Sequence, residues 1–323
     1  MNVIINSGIS AKITENLKER FCKDMNLPIK IFCEPYFSER LKLLDRQFNC
    51  IGKYNAFIKE VEFFGGEQNY LTEYNAVKDR AINFLKENSA MKEFSERKDF
   101  SCFSITKDFP SHDIYKSIFD NCCFVSFDMK KANFTALRHY DESIVRYADT
   151  YEDFISNFTS SEHMISSKYI RQVIFGNVSV KRQVTYEKYL MSKVLEKVLR
   201  KFNSEDIVYF GTDEIVAKIN ISEKDNLKIF ADNIISECHN EKIEIRYEFF
   251  MLHKINGCEG FIKKDLFSDI FSLKGVSALY MPSVLRTIYQ EKIKDDDLVF
   301  IYDGQLAKLL KEPDIVLSDI FLV

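Results

Sequence analysis

Three acids stand where acids are costly. Asp128 closes the apolar run CCFVSFDM (122–129), and Asp213 and Glu214 sit at the tip of DIVYFGTDEIVAKI (206–219), between two apolar runs. Continuous apolar runs of this length read as buried strands, the second as a hairpin. Carboxylates are seldom left at the ends of such strands without a partner. Converging carboxylates repel unless a cation sits between them, and hard divalent ions take oxygen ligands while keeping positions for substrate phosphates. A pair of such ions about 3.5–4 Å apart serves in-line phosphoryl transfer. The expectation is a Mg2+ (or Mn2+) site made by Asp128, Asp213 and Glu214. Strand alternation favours an outward Glu214 when Asp213 faces in, although a turn can break that rule. Taken singly, each acid reads as a turn or cap residue. The metal reading gains its weight from the segment between the strands.

That segment, SSKYIRQVIFGNVSVKRQ, places Lys168, Arg171, Gln172 and Phe175 on neighbouring turns of one helix. Such a cationic face with an aromatic at its end suits a triphosphate with its base supported by the ring. A solvated helix face is the plain alternative. Residues 163–202 carry nine Lys and Arg against two Glu, about +7, in a chain whose net charge is −4. The average therefore hides a basic stretch fit for a nucleic-acid backbone, to which Lys181 and Arg182 belong.

The elements that must position these groups follow from periodicity. Residues 1–110 read as a helical N-terminal region, with apolar residues at spacings of three and four and a turn at Gly65-Gly66. No G-K-[ST] follows those glycines, so a phosphate loop is not expected. Pro110 and Ser111 mark a boundary, and 111–290 alternates strands and helices: strand 122–129, a turn and helix in 130–148, a short helix in 150–159, basic helices at 163–175 and 185–202, the hairpin, a helix at 226–239 and a strand at 243–252. Residues 291–323 form a C-terminal cap or thumb remnant that ends in the apolar IVLSDIFLV. The expected class is α+β, an antiparallel sheet backed by helices.

Composition narrows the rest. With 29 Phe and no Trp, the core must be built on Phe, Tyr and Ile; 10 Gly and 5 Pro in 323 residues argue against a loop-rich sandwich. Eight Cys without a C-x-x-C pair point to free thiols rather than zinc. No apolar run reaches 18 residues, so no membrane span is expected. The opening residues lack a basic stretch followed by an apolar core, so an intracellular place is expected, cytoplasmic, nuclear or in a viral factory, and not secretion. Richness in Lys, Ile, Asn and Phe suits an AT-rich genome, a virus's among others.

The order of these motifs resembles the palm of family B DNA polymerases, much reduced. Their D-x-x-S-L-Y-P-S-I has DMKKANFTA from Asp128 as its counterpart; K-x-x-x-N-S-x-Y-G has KYIRQVIFG, Lys168–Gly176, of equal length; Y-G-D-T-D-S has YFGTDE, 209–214. FIKKD (261–265) and LKGV (273–276) stand where that family has Lys-rich elements. The resemblance covers roughly 122–290. It implies an antiparallel polymerase-palm sheet in which Asp128 and Asp213, helped by Glu214, hold two Mg2+ for nucleotidyl transfer from nucleoside triphosphates to a nucleic-acid 3′ end. It implies that Lys168, Arg171, Gln172, Phe175, Asn133 and Phe134 bind the nucleotide, and that Lys181, Arg182, Lys263 and Lys264 follow the nucleic acid. It also implies a protein partner in a replication or repair complex. The departures are specific: Gly211 replaces an acid, Gln172 an Asn, and Asn133 or Phe134 a Tyr. Two other readings follow from them, a catalytically degenerate palm serving as a nucleic-acid- or protein-binding accessory subunit, and a nucleotide cyclase-type enzyme.

Overall fold

A computed structural model describes residues 13–317. The apolar end of 315–323 lies mostly outside them, as does most of the opening stretch read for a signal sequence. The N-terminal region is helical: α1 (Glu15–Met25), α2 (Tyr36–Phe48), α3 (Cys50–Phe63), α4 (Glu67–Glu87) and α5 (Ser89–Glu96). Thr14 and Asn88 cap α1 and α5 by accepting the backbone N–H groups of Leu17 and Met91. Gly65 and Gly66 make the turn between α3 and α4, both with positive φ (82° and 115°), which glycine adopts without steric cost.

Beyond residue 110 the chain runs β1 (Cys123–Met129), α6 (Ala132–Tyr140), α7 (Tyr151–Ser156), α8 (Glu162–Ser166), α9 (Lys168–Gly176), α10 (Val180–Val198), β2 (Ile207–Phe210), β3 (Glu214–Ile219), α11 (Lys224–Asn240), β4 (Ile245–Lys254), β5 (Phe261–Asp265), β6 (Phe271–Lys274) and α12 (Met281–Ile288). A separate hairpin, β7 (Val299–Tyr302) and β8 (Gln305–Lys308), follows. The first basic helix, expected as one piece, is two: Ser167 ends α8 and caps α9 through the Ile170 N–H. The second begins at Val180 and not at 185.

The six strands form one antiparallel sheet in the order β2-β3-β1-β4-β5-β6, with β1 between β3 and β4. The fold is therefore mixed α+β, as expected. Strand alternation divides the sheet into two unlike faces. Cys123, Val125, Phe127 and Met129 of β1, with Ile215, Ala217 and Ile219 of β3 and Ile245 and Phe249 of β4, join the main core with the helices. That core is continuous across residue 110: Phe21, Phe57 and Tyr70 belong to it as much as Phe154, Phe175 and Leu190. The opposite face has a small apolar cluster of Ile114, Phe124, Val216, Phe250, Leu252 and Phe261 at one end. The rest of it is charged.

Candidate functional site

The register of the sheet brings the acids together. Asp128 lies directly opposite Glu214 on β3 and opposite Arg246 on β4. Residues opposite one another in an antiparallel pair share a face, so Asp128, Glu214 and Arg246 form one row across three strands. The next row on that face adds Glu248 opposite Ser126, and Lys263 from β5 pairs with Glu248 and lies over the Phe250 ring. Glu214 thus faces the open side with Asp128, contrary to the outward pose that alternation from Asp213 favours. The reason is that Asp213 precedes the strand: it is exposed, and its carbonyl accepts the Met129 N–H at 2.8 Å, one step beyond the Asp128–Glu214 pair.

Electrostatics show how closely these groups sit. Burial pushes the Asp128 carboxyl above its ordinary range; Arg246, donating to Asp128 Oδ2 at 2.7 Å, opposes the shift, and Asp213 and Glu248 add to it. Burial likewise raises Glu214, with Lys263 opposing and Asp128 and Asp213 adding. A fourth acid joins from behind. Glu187 of α10 is almost wholly buried, accepts a hydrogen bond from Asn133 Nδ2 at 2.9 Å, and is pushed up to about 7 by burial and by the Asp213 charge.

All the donors in this group are oxygens, and like charges held half-buried are what a hard cation relieves. In that sense Asp128, Asp213 and Glu214 fit Mg2+ or Mn2+. Among the described residues no three Asp, Glu, His or Cys side chains already converge as a metal cage. Instead the Asp128 carboxylate is turned to Arg246. Gly211, where the resemblance calls for another acid, is closed: a Cβ there would overlap the hydroxyl and ring of Tyr209.

Asp128 stands at the mouth of a cleft of about 850 Å3, lined among others by Lys130, Lys131, Arg138, Tyr151, Arg171 and Arg246. Several of its cations are held by neighbours. Lys131 pairs with Glu152, Arg138 with Asp149 at 2.7 Å, and Arg246 with Asp128. Arg171 lies over the Tyr151 ring, its centroid 5.7 Å away, and no carboxylate among the described residues forms an ion pair with it. Burial and the nearby Arg246 lower its affinity for its proton. The cleft thus concentrates positive charge beside the acids.

Of the expected nucleotide-binding residues, the structure brings Arg171 and Phe134 to this cleft. Asn133 is engaged with Glu187. The single face expected on α9 is divided. Lys168 donates to Asn26 Oδ1 at 3.3 Å, and Gln172 lines a different groove with Asn26 and Lys30. Phe175 is fully buried, stacked on Phe154 with centroids 6.2 Å apart and edge-on to Tyr151. It is a core residue and offers no platform for a base, because the last turn of α9 points into the helical layer.

The basic stretch is likewise not one free stripe. Arg182 donates to the Phe94 and Arg97 carbonyls, each at 2.9 Å, and so ties α10 to the N-terminal helices. Lys197 pairs with Glu241, just past the end of α11, and Arg200 with Glu237 of α11. Lys181 is exposed. Lys263 is committed to Glu248, and Lys264, opposite Met251, lies on the other side of the sheet.

Arg246, Glu187, Lys130 and Tyr151 were not singled out by sequence. The alternation in IEIRYEFFML does put Arg246 and Glu248 on one face, and the even-numbered positions were a usable signal. Glu187 had none, because a Glu within a basic amphipathic helix reads as a surface residue. Comparison with protein-family models, with curated proteins and with solved structures finds no match for this chain.

Proposed function

We propose that the chain is a divalent-metal-dependent nucleotidyltransferase that takes a nucleoside triphosphate in the basic cleft and acts on a nucleic-acid 3′ end. The observation that carries this reading is Asp128, paired across the strands with Glu214, on a cleft that Lys130, Lys131, Arg171 and Arg246 also line. Carboxylates for cations and cations for phosphates, side by side where the end of β1 meets α6, α7 and α9, are what phosphoryl transfer requires of a protein. The resemblance of 122–290 to a polymerase palm points the same way.

Asp128, Asp213 and Glu214 would hold Mg2+ or Mn2+, which when bound neutralises phosphate charge and orients the reacting oxygens. Arg171, braced on Tyr151, neutralises the distal phosphates. Lys130 and Lys131 open the cleft toward solvent and draw the anion in. Phe134 and Tyr151 form its apolar floor and exclude water there. Lys181, exposed on α10, would follow a nucleic-acid backbone, with a protein partner in replication or repair fitting the same reading. The test is Mn2+-dependent release of pyrophosphate from nucleoside triphosphates with a primed template. Asp128→Asn is expected to lower the rate at least about a hundredfold, the scale for losing a charge-stabilising group. An unchanged rate overturns the assignment.

One observation favours a second reading, a non-catalytic accessory subunit. Tyr209 fills the place beside Gly211, leaving the hairpin tip one acid short. That reading calls for nucleic-acid or partner binding with no pyrophosphate release under any metal, and a cyclase for release without primer.

A further inference from the structure

The residue opposite Asp128 on β4 is a cation, and it offsets the charge of that carboxylate. Arg246 Nε donates to Asp128 Oδ2 at 2.7 Å. Their Cα atoms are register partners, so the pairing is built into the sheet and does not depend on a loop. The Arg246 side chain is 58% exposed, whereas that of Asp128 is 23% exposed. The guanidinium is thus the more exposed member of the pair, with solvent beside it into which it can turn. It also lines the same cleft as Arg171, close enough that the two positive charges oppose one another.

We propose that Arg246 is a resident counter-ion that holds Asp128 until a divalent cation arrives, and then turns into the cleft to bind the anionic ligand. This rests on the nucleotidyltransferase reading. Three charges account for the exchange. While the cleft is empty, Arg246 offsets the negative charge shared by Asp128, Asp213, Glu214 and Glu248. A divalent ion on Asp128 brings two positive charges and makes a third beside it unfavourable. A phosphate chain in the cleft gives the displaced guanidinium a bidentate partner, for which its planar fork is suited. Arg246 therefore opposes metal binding in the absence of triphosphate and favours triphosphate once metal is present. Metal and nucleotide become coupled ligands, each helping the other.

The test compares Mn2+ binding, read by electron paramagnetic resonance, and then binding of a non-hydrolysable nucleoside triphosphate at saturating Mn2+, read by calorimetry. The proteins are the wild-type chain, Arg246→Gln, Arg246→Lys and Asp128→Asn/Arg246→Gln. Arg246→Gln is expected to bind Mn2+ alone about twofold to fivefold tighter, the range for releasing a half-exposed ion pair, and to bind triphosphate at least about threefold weaker. Arg246→Lys, which keeps the charge, should stay near wild type for Mn2+. The double variant should lose the Mn2+ gain. If wild type and Arg246→Gln bind Mn2+ equally well, the counter-ion role is overturned while the metal reading stands. If neither binds Mn2+, both fall. Arg246 is exposed at the sheet surface, and an unchanged circular dichroism spectrum confirms that each variant folds.

Discussion

Two carboxylates in this molecule are taken out of bulk water in opposite ways. Asp24, at the end of α1, is 1% exposed and accepts three hydrogen bonds: Tyr74 Oη at 2.6 Å, Ser167 Oγ at 2.7 Å and His163 Nε2 at 3.0 Å. Its donors come from α4 and from the α8–α9 junction, so it stitches the N-terminal helices to the rest of the chain. Asp128 has one donor, Arg246, and like charges on two sides. A carboxylate whose lone pairs are filled by hydrogen-bond donors is a structural joint. One left among other acids, with a cleft in front of it, holds unspent electrostatic free energy that a ligand can release.

The largest effect that would break this contrast is at Asp24. Asp24→Ala leaves three buried donors without an acceptor and should cost about 3–5 kcal/mol, read as a fall in denaturation midpoint. A loss below about 1 kcal/mol would show that the joint is dispensable. Glu187 sharpens the comparison, because it is buried like Asp24 but crowded like Asp128. Its folded pKa, about 7, lies above the ordinary 4.5. The unfolded chain therefore gives up this proton first as pH rises, so Glu187's contribution is full below pH 4.5 and is lost as pH climbs to about 7. Glu187→Gln keeps the acceptor for Asn133 and removes the charge. It should be more stable than wild type by about 3 kcal/mol at pH 8 and nearly equal to it at pH 4.

Asp128→Asn gives a smaller effect of the same sign. The folded state disfavours the ionised form, while the lost Arg246 pair offsets part of the gain. Thermal unfolding at pH 7 should show a change within about 1 kcal/mol, on the stabilising side. A large destabilisation would make Asp128 a joint like Asp24. Smallest of all, Lys181→Ala should leave stability within about 0.5 kcal/mol. Its effect should appear only in nucleic-acid binding, as a salt dependence less steep by about one ion.

The same contrast explains what could be read from sequence. The strand that carries Asp128 near its end and the hairpin with Glu214 at its tip were legible because their apolar runs are local patterns. Their register was not, and register decides that Glu214 shares a face with Asp128. Asp24 drew no notice, since its partners stand 50 to 143 positions away in the chain. Phe175 was misplaced because helical spacing says which residues share a face, while only packing says whether that face meets solvent or Phe154. Arg182 looked like a free cation until the carbonyls of Phe94 and Arg97 were seen around it.

Gly211 carries a consequence for how this site can change. Its backbone lies outside the positive-φ region, so glycine is not kept there by its dihedral angles. It is kept by the Tyr209 ring, which occupies the volume of any side chain at 211. An acid at that position therefore cannot be regained by one substitution without driving the ring from the patch around Val216. Either the Tyr209 ring swings away or Tyr209 is exchanged for a small residue. The two positions are therefore coupled: Gly211→Asp displaces the ring in the present background and meets no such obstacle after Tyr209→Ala, so the two steps are not independent for a lineage or a laboratory library alike.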